Sequence, residues 1–319
     1  MSYWSYEGTA SSISIVGHTA FDHICQTPYL PSLNGSTPVI KRDILFGGGA
    51  ANIAVGIATL GQPVRLVSAV GKDFPGSAYE NKMKELGILM ETYLLQDEHT
   101  ATAFMFTDED GDQMTFFEWG ASRAFSENKP SSFPFVHMAT ADPLYNVNVA
   151  RLASFSSFDP GQDVRLYTAE YLTPLLDCIH VLIANRHEYD VMCQMLSCTR
   201  GDISERVPLA IETCSGDGSI IRVNGEEIHI PAVSVEMVDP SGAGDAYRAG
   251  FLSACLLGYD VVTCAQVGTV TASFVVAAIG CQTGVCDWQT MQERYEDVFG
   301  TLPRPPRALF SAANQTHSH

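Results

Sequence analysis

Short apolar segments alternate with amphipathic ones along most of this chain, and that alternation constrains its fold more than any other feature. Residues 12–16 (SISIV), 64–70, 136–139, 155–158, 181–184 and 209–213 read as strands. Helical patterns run over 50–60, 77–86, 147–154, 168–178, 187–196, 243–257, 262–278 and 287–298, with Gly61 and Gly87 where the first two should stop. Strand followed by helix, repeated, is the pattern of a parallel sheet covered on both faces. The expected fold is therefore α/β, a doubly wound and mostly parallel sheet flanked by helices, in one domain over residues 1–319.

Two stretches break the pattern. Residues 24–46 and 101–119 are strand-like without crossover helices, and Asp110-Gly111 makes a hairpin turn between TAFMFT and QMTFFEW. They are expected to form a small β-lid, built from two insertions, over the carboxyl edge where such sheets bind ligands. The tail from Pro303 carries prolines and then polar residues, and is expected to fray.

Composition narrows the function. Of 319 residues 46% are apolar, enough for a large core, yet no apolar run is long enough to span a bilayer. Residues 1–12 lack the basic and apolar regions of a signal peptide, which points to a cytoplasmic protein. A net charge of −18, with 18 Lys and Arg, argues against a nucleic-acid or membrane-surface partner. Nine cysteines without a CxxC pair fit reduced thiols rather than zinc.

The chemistry concentrates in Asp239-Pro-Ser-Gly-Ala-Gly-Asp245. Gly242, Ala243 and Gly244 fall in the first turn of an apolar helix, where unpaired N–H groups and the positive dipole end attract an anion. Without bulky side chains the backbone can approach an oxyanion closely. Asp245 then stands as a general base beside an anion hole. A second opening, Gly47-Gly-Gly-Ala-Ala-Asn52, superficially resembles a dinucleotide loop, but Asn52 replaces its last glycine and no acidic strand end follows. Asn52 is better used on ligand hydroxyls than inside a helix. No GxxxxGK[ST] occurs, which removes the P-loop kinases, and no protein-kinase motif set is present. Asn185 and Glu188 share one helical face and offer the oxygen ligands that Mg²⁺ prefers.

Together these motifs resemble the paired signatures of the ribokinase, or phosphofructokinase-B, family, in family order from Gly17 to about Trp288. Gly17-His-Thr-Ala-Phe-Asp22 is similar to the first-strand motif whose aspartate binds sugar hydroxyls. Gly71-Lys-Asp73-Phe-Pro-Gly76 matches GxDxxG, and Asn185-Arg-His-Glu188 matches the NxxE that positions Mg²⁺ and phosphate through water. Several stretches, among them GHTAFDHI, FFEWGA and ASFVVAAIGCQT, look most like the archaeal nucleoside kinases.

The resemblance implies an ATP-dependent kinase that phosphorylates a nucleoside 5′-hydroxyl. Asp245 would be the base, Gly242, Ala243 and Gly244 the anion hole, and Asp22, Gly48, Gly49 and Asn52 the acceptor site. Gln113 and Asp142 are further candidate acceptor contacts, and Gln162, in Asp159-Pro-Gly-Gln162, would lie near the phosphates. The donor site would involve Asn185, Thr213, Ser215, Gly216, Gly218 and Ser273, the last beside Thr271 and Ala272 in the adenine pocket. Ser215 departs from the family's TxGxxG, and the Gly216 that follows suggests a loop shifted by one residue. Arg248 is either a phosphate clamp or a structural ion pair. A K⁺ site around Asp239 and Ser241, common in the family, stays open. Phe116, Phe117 and Trp119 of the lid favour a base to stack on, and the lid's apolar edges suggest a homodimer joined through the lids. Two alternatives stand beside this reading: a fructose- or ribose-type sugar kinase of the same family, and a nicotinamide-dependent oxidoreductase, which leaves the Asp239–Asp245 motif unexplained.

Overall fold

A computed structural model describes residues 4–307. In chain order the first elements are β1 (Ile13–Val16), β2 (Ala20–Gln26), β3 (Lys41–Gly47), α1 (Gly49–Thr59), β4 (Val64–Gly71), α2 (Ala78–Glu85) and β5 (Leu89–Leu95). Next come β6 (Ala101–Thr107), β7 (Gln113–Glu118) and a short α3 (Ala124–Glu127). Strand and helix then alternate through β8 (Val136–Met138), α4 (Pro143–Leu152), β9 (Ser156–Phe158), α5 (Ala169–Cys178), β10 (Val181–Asn185), α6 (Arg186–Leu196), α7 (Arg200–Arg206) and β11 (Leu209–Thr213). A hairpin of β12 (Ser219–Val223) and β13 (Glu226–Ile230) precedes α8 (Ala243–Leu256), α9 (Val261–Val275) and α10 (Trp288–Phe299).

Nine strands form the main sheet in the order β13-β12-β11-β10-β9-β8-β1-β4-β5. From β11 to β5 every pairing is parallel, and the two remaining pairings, β11–β12 and β12–β13, are antiparallel. Burial explains the parallel part. Successive residues of each strand point to opposite faces, and here both faces are apolar. Ile13, Ile15, Leu66, Val181 and Ile183 join the core under α1, α8 and α9, while Val16, Val67, Leu182 and Ala184 join a second core under α4, α5 and α6. The strand order reverses at β1, which pairs β4 on one side and β8 on the other. That reversal opens a crevice at the carboxyl ends of β1 and β8.

The irregular stretches form a separate four-stranded sheet, β3-β2-β6-β7, with β2 and β6 parallel and the outer pairs antiparallel. Its first strand starts at Ala20 rather than near residue 24, because the chain turns at Gly17 and extends again at once. Residues between β2 and β3 are loop, not strand. The periodicity also gave no sign of β5, α7 or the β12–β13 hairpin. Helix α7 is short, buries only Ile203 and rests on a capping box between Thr199 and Asp202. Asn224-Gly225, both at positive φ, is the turn that a two-residue hairpin demands, so that signal was present in the sequence. The expectation for the tail falls largely on residues 308–319, outside the described ones. Among the described residues no helix is long and apolar enough to cross a membrane.

Helices α1 and α8 cross closely at Gly56, where an added Cβ would sit 2.6 Å from the Cβ of Ala249. Backbone and side chain would have to separate to admit one methyl. We expect Gly56→Ala to destabilise the chain by about 1–3 kcal/mol, despite the better helix propensity of alanine, as read by denaturant unfolding.

Candidate active site

The crevice at the carboxyl edge encloses a cavity of about 490 Å³, floored by the first turns of α1 and α8 and roofed by the small sheet. Both helices open on glycine. Gly48 precedes α1 at φ 94° and Gly242 precedes α8 at φ 77°, conformations that L side chains rarely adopt. A Cβ on Gly242 would also meet Cys281 at 2.8 Å. The sequence thus leaves two bare helix N-termini facing one space.

Asp245 sits in the first turn of α8 and lines the cavity with a fifth of its side chain exposed. Asn52 of α1 donates from Nδ2 to its Oδ2 at 2.9 Å. Asp22 approaches from β2, almost fully buried, and can do so only because residue 47 is glycine: a Cβ there would lie 1.9 Å from Asp22 Oδ2. Burial, and then the charge of Asp245, hold the Asp22 carboxyl up at about 7. Burial likewise raises Asp245 to about 6, against the opposing pull of Arg248 and the Asn52 hydrogen bond.

Arg248, one turn along α8, is a structural ion-pair centre. Its Nε, Nη1 and Nη2 lie 3.1 Å from Asp159, 3.6 Å from Asp245 and 3.7 Å from Glu188. Glu188 is tied to Asn185 by a reciprocal cap: its carboxylate accepts from the Asn185 backbone and side-chain N–H groups, while Asn185 Oδ1 accepts from the Glu188 N–H. Burial pushes the Glu188 carboxyl up, which Arg248 opposes. Behind Asp159, His137 bonds its carboxylate at 2.9 Å, and burial lowers the imidazole.

Gly48, Gly49, Gln162, Asn185 and Glu188 line the same cavity as Asp22, Asn52, Asp245 and residues 242–244, so one space gathers most of the site residues that the sequence singled out. Gln113 stands exposed at its rim and donates to Thr107 Oγ1. Others lie apart. Asp142 caps α4 by accepting from the Tyr145 N–H at 2.9 Å, and does not line the cavity. Ser273 is buried between helices, donating to the Val270 carbonyl and accepting from Arg294, so its hydroxyl is committed to packing. Thr213, Ser215, Gly216 and Gly218 continue the sheet edge beyond Asn185, which is in register with Thr213. Ser215 itself takes the left-handed conformation at φ 52°, with Gly218 at φ 87°, so the loop is not shifted onto Gly216. Of the three aromatic residues expected over the site, Phe117 and Trp119 line the cavity, whereas Phe116 points to the opposite, exposed face.

Two residues escaped the sequence reading. His18 is buried between the rings of Phe117 and Trp119, each 5.4 Å away, and its Nε2 lies 3.1 Å from Asp163. Gln282 bonds Asn52 from a loop after α9. Both lie in stretches quoted above, GHTAFDHI and ASFVVAAIGCQT, but no local pattern marks either side chain as one that meets the site. Asp239 accepts from Ser241 N–H and Gly280 N–H, which joins two loops and by itself defines no K⁺ site.

A doubly wound sheet with a roofing sheet, two glycine-opened helix ends and a carboxylate between them defines a phosphotransferase with a hydroxyl acceptor. The chain matches the pfkB family of carbohydrate kinases over residues 10–288 and belongs to that family, the ribokinase family. It is 42% identical to a nucleoside kinase of Methanocaldococcus jannaschii over 91% of this chain and 98% of that one. A nucleoside kinase of Methanothermobacter thermautotrophicus is 40% identical, with 90% and 96% covered. The crystal structure of the M. jannaschii enzyme superposes with a TM-score of 0.87, covering 91% of this chain and 99% of that one at 41% identity. A Burkholderia thailandensis nucleoside kinase in complex with inosine gives 0.82, with 92% and 99% covered at 26% identity. The chain is accordingly a nucleoside or sugar kinase of the ribokinase family.

The raised Asp22 carboxyl has a consequence for stability. Its folded pKa of about 7 exceeds the ordinary value of 3.8, so folding favours the protonated form. The carboxyl therefore costs nothing below about pH 4, and the fold loses stability as pH rises from about 4 to about 7, where the unfolded chain has released the proton that the folded chain still holds. Asp22→Asn should melt higher than the parent at pH 8 and equally at pH 4, a difference that thermal scans at the two pH values would detect.

Proposed function

We propose that the chain transfers the γ-phosphate of ATP to the 5′-hydroxyl of a nucleoside, with Asp245 as general base. The observation that carries this reading is the placement of Asp245 at the mouth of a bare helix N-terminus, in one cavity with Asp22 and Asn52. Relatives named as nucleoside kinases support the acceptor class. The B. thailandensis relative has also been solved with ADP and inosine, which supports an adenine-nucleotide donor.

In this mechanism Asp22 and Asn52 hold ring hydroxyls of the acceptor and so place its primary hydroxyl. Asp245 takes the proton of that hydroxyl as it attacks. The N–H groups of residues 242–244 stabilise charge developing on the transferred phosphoryl oxygens. Phe117, Trp119 and His18 supply a surface for the base, and the small sheet excludes water when it closes. Gln162 and Asn185 face the phosphates, and the adjoining loop at Thr213, Ser215, Gly216 and Gly218 receives the rest of the donor.

Among the described residues no three His, Cys, Asp or Glu side chains converge as a metal cage. The capped Glu188 and Asn185 pair fits a Mg²⁺ that keeps its waters, held by substrate phosphates and touched by protein through solvent. Bound there, the ion would neutralise donor phosphates. A K⁺ requirement would show as a loss of ADP release when Na⁺ replaces K⁺.

The small sheet also has an outer face. Ile40, Ile44, Met114 and Phe116 are all at least 40% exposed, an apolar surface that a second copy of the sheet would cover. We take the functional unit to be a homodimer joined there, and light scattering at micromolar concentration should give twice the chain mass.

Asp245→Asn keeps the side-chain shape but cannot accept the proton. Its kcat should fall by about 10²–10⁴ with acceptor KM little changed, whereas Asp22→Ala should mainly raise acceptor KM. The assay is ADP release with a panel of nucleosides, fructose and ribose, and the product should be a nucleoside 5′-monophosphate. Turnover of fructose or ribose with no nucleoside activity would contradict the acceptor assignment.

A further inference from the structure

Asn52 can present either its oxygen or its nitrogen to Asp245, since the two ends of an amide have the same shape. The hydrogen bonds around it leave one choice. Lys82 of α2 donates from Nζ to Gln282 Oε1 at 3.1 Å and can only donate. Gln282 must therefore turn its Nε2 inward, where it donates to Asn52 Oδ1 and to the Tyr79 hydroxyl, both at 2.8 Å. Tyr79 gives its own proton to the Gly47 carbonyl at 2.7 Å and has only lone pairs left for Gln282. With its oxygen taken, Asn52 has Nδ2 alone to offer Asp245, at 2.9 Å.

The chain of bonds is buried and braced. Gln282 is 6% exposed and Tyr79 fully buried. Tyr79 stacks on Phe46 with ring centroids 4.4 Å apart, and Lys82 lies over the same Phe46 ring at 5.7 Å. In so enclosed a setting a reversed amide would set two oxygens against each other, with no water to relieve them.

We propose that Gln282, oriented by Lys82, is a positioning residue that fixes the amide of Asn52 with its donor toward Asp245 and the acceptor hydroxyls. Neither residue touches substrate; each acts through Asn52. The inference rests on the reading of Asn52 and Asp245 as the acceptor site. It assigns a catalytic consequence to a partly buried lysine of α2, which does not line the cavity.

Gln282→Glu tests it, because a carboxylate still pairs with Lys82 but has no N–H for Asn52 Oδ1. Asn52 should then reverse. With ATP and the best acceptor from adenosine, guanosine, inosine, cytidine and uridine, acceptor kcat/KM should fall about 10–100-fold, the worth of a charge-assisted hydrogen bond. The KM for ATP should stay within about twofold of the parent, because the donor side of the cavity is untouched. In an Asn52→Ala background the same substitution should change kcat/KM by less than about threefold, because the two losses are then one. Lys82→Met should lower kcat/KM in the same direction, again only when Asn52 is present, and Lys82→Arg should restore it. If Gln282→Glu proves insoluble, the Lys82 pair decides. A Gln282→Glu enzyme of parental kcat/KM, or an equal loss with and without Asn52, overturns the inference. Parental activity of Asn52→Ala instead overturns the acceptor-site reading beneath it.

Discussion

One guanidinium lies at the centre of the carboxylates on which the site is built. Arg248 is 5% exposed and within 3.7 Å of Asp159, Asp245 and Glu188. These come from the end of β9, from α8 and from the first turn of α6, so a single side chain binds three elements of the carboxyl edge. Removing one partner of a buried ion pair typically costs about 3–5 kcal/mol, and here the loss would strand three acids. The balance is deliberately uneven in sign: one cation against three carboxylates, with Asp22 beyond them. Burial of Asp245 outweighs the pull of that arginine, with smaller contributions from the charges of Asp159 and Glu188, and so holds its carboxyl up at about 6.

The rest of the architecture delivers groups to this cluster. The reversal of strand order at β1 leaves a crevice between β1 and β8, and the cavity lies there. Helices α1 and α8 enter it through Gly48 and Gly242, and they can run so close because Gly56 faces Ala249. The small sheet adds Asp22 and the ring of Phe117 from above. Alternation along β6 and β7 decides which side chains face the site: Ala103, Met105, Thr115 and Phe117 do, while Met114 and Phe116 face outward.

Sequence periodicity revealed the alternating strands and helices because both faces of the main sheet are buried, which makes each strand apolar throughout. It was silent on β5 and β13, whose half-exposed residues carry no such signal. At the site, the residues legible in the sequence are glycines that the backbone requires, as at Gly48 and Gly242, and Asp245, which stands in one local motif with Gly242. Gln282 and His18 act through contacts with residues far away in sequence, 230 positions for Gln282 with Asn52 and 145 for His18 with Asp163, and no local pattern encodes such a meeting. Asp142 and Ser273 show the converse. Their side chains are polar and suitably placed in sequence, but helix capping at one and helix packing at the other use the group locally.

In the proposed mechanism Asp245 must be ionised to take the acceptor's proton, in surroundings that raise its pKa. The direct measurement is acceptor kcat/KM from pH 8 to pH 5 at saturating ATP and Mg²⁺. As pH falls below the folded pKa the base becomes protonated, so activity should drop along an acidic limb between about 7, the value for Asp22, and about 6, that for Asp245. A profile that stays flat down to pH 5 would contradict the assignment of Asp245 as the base.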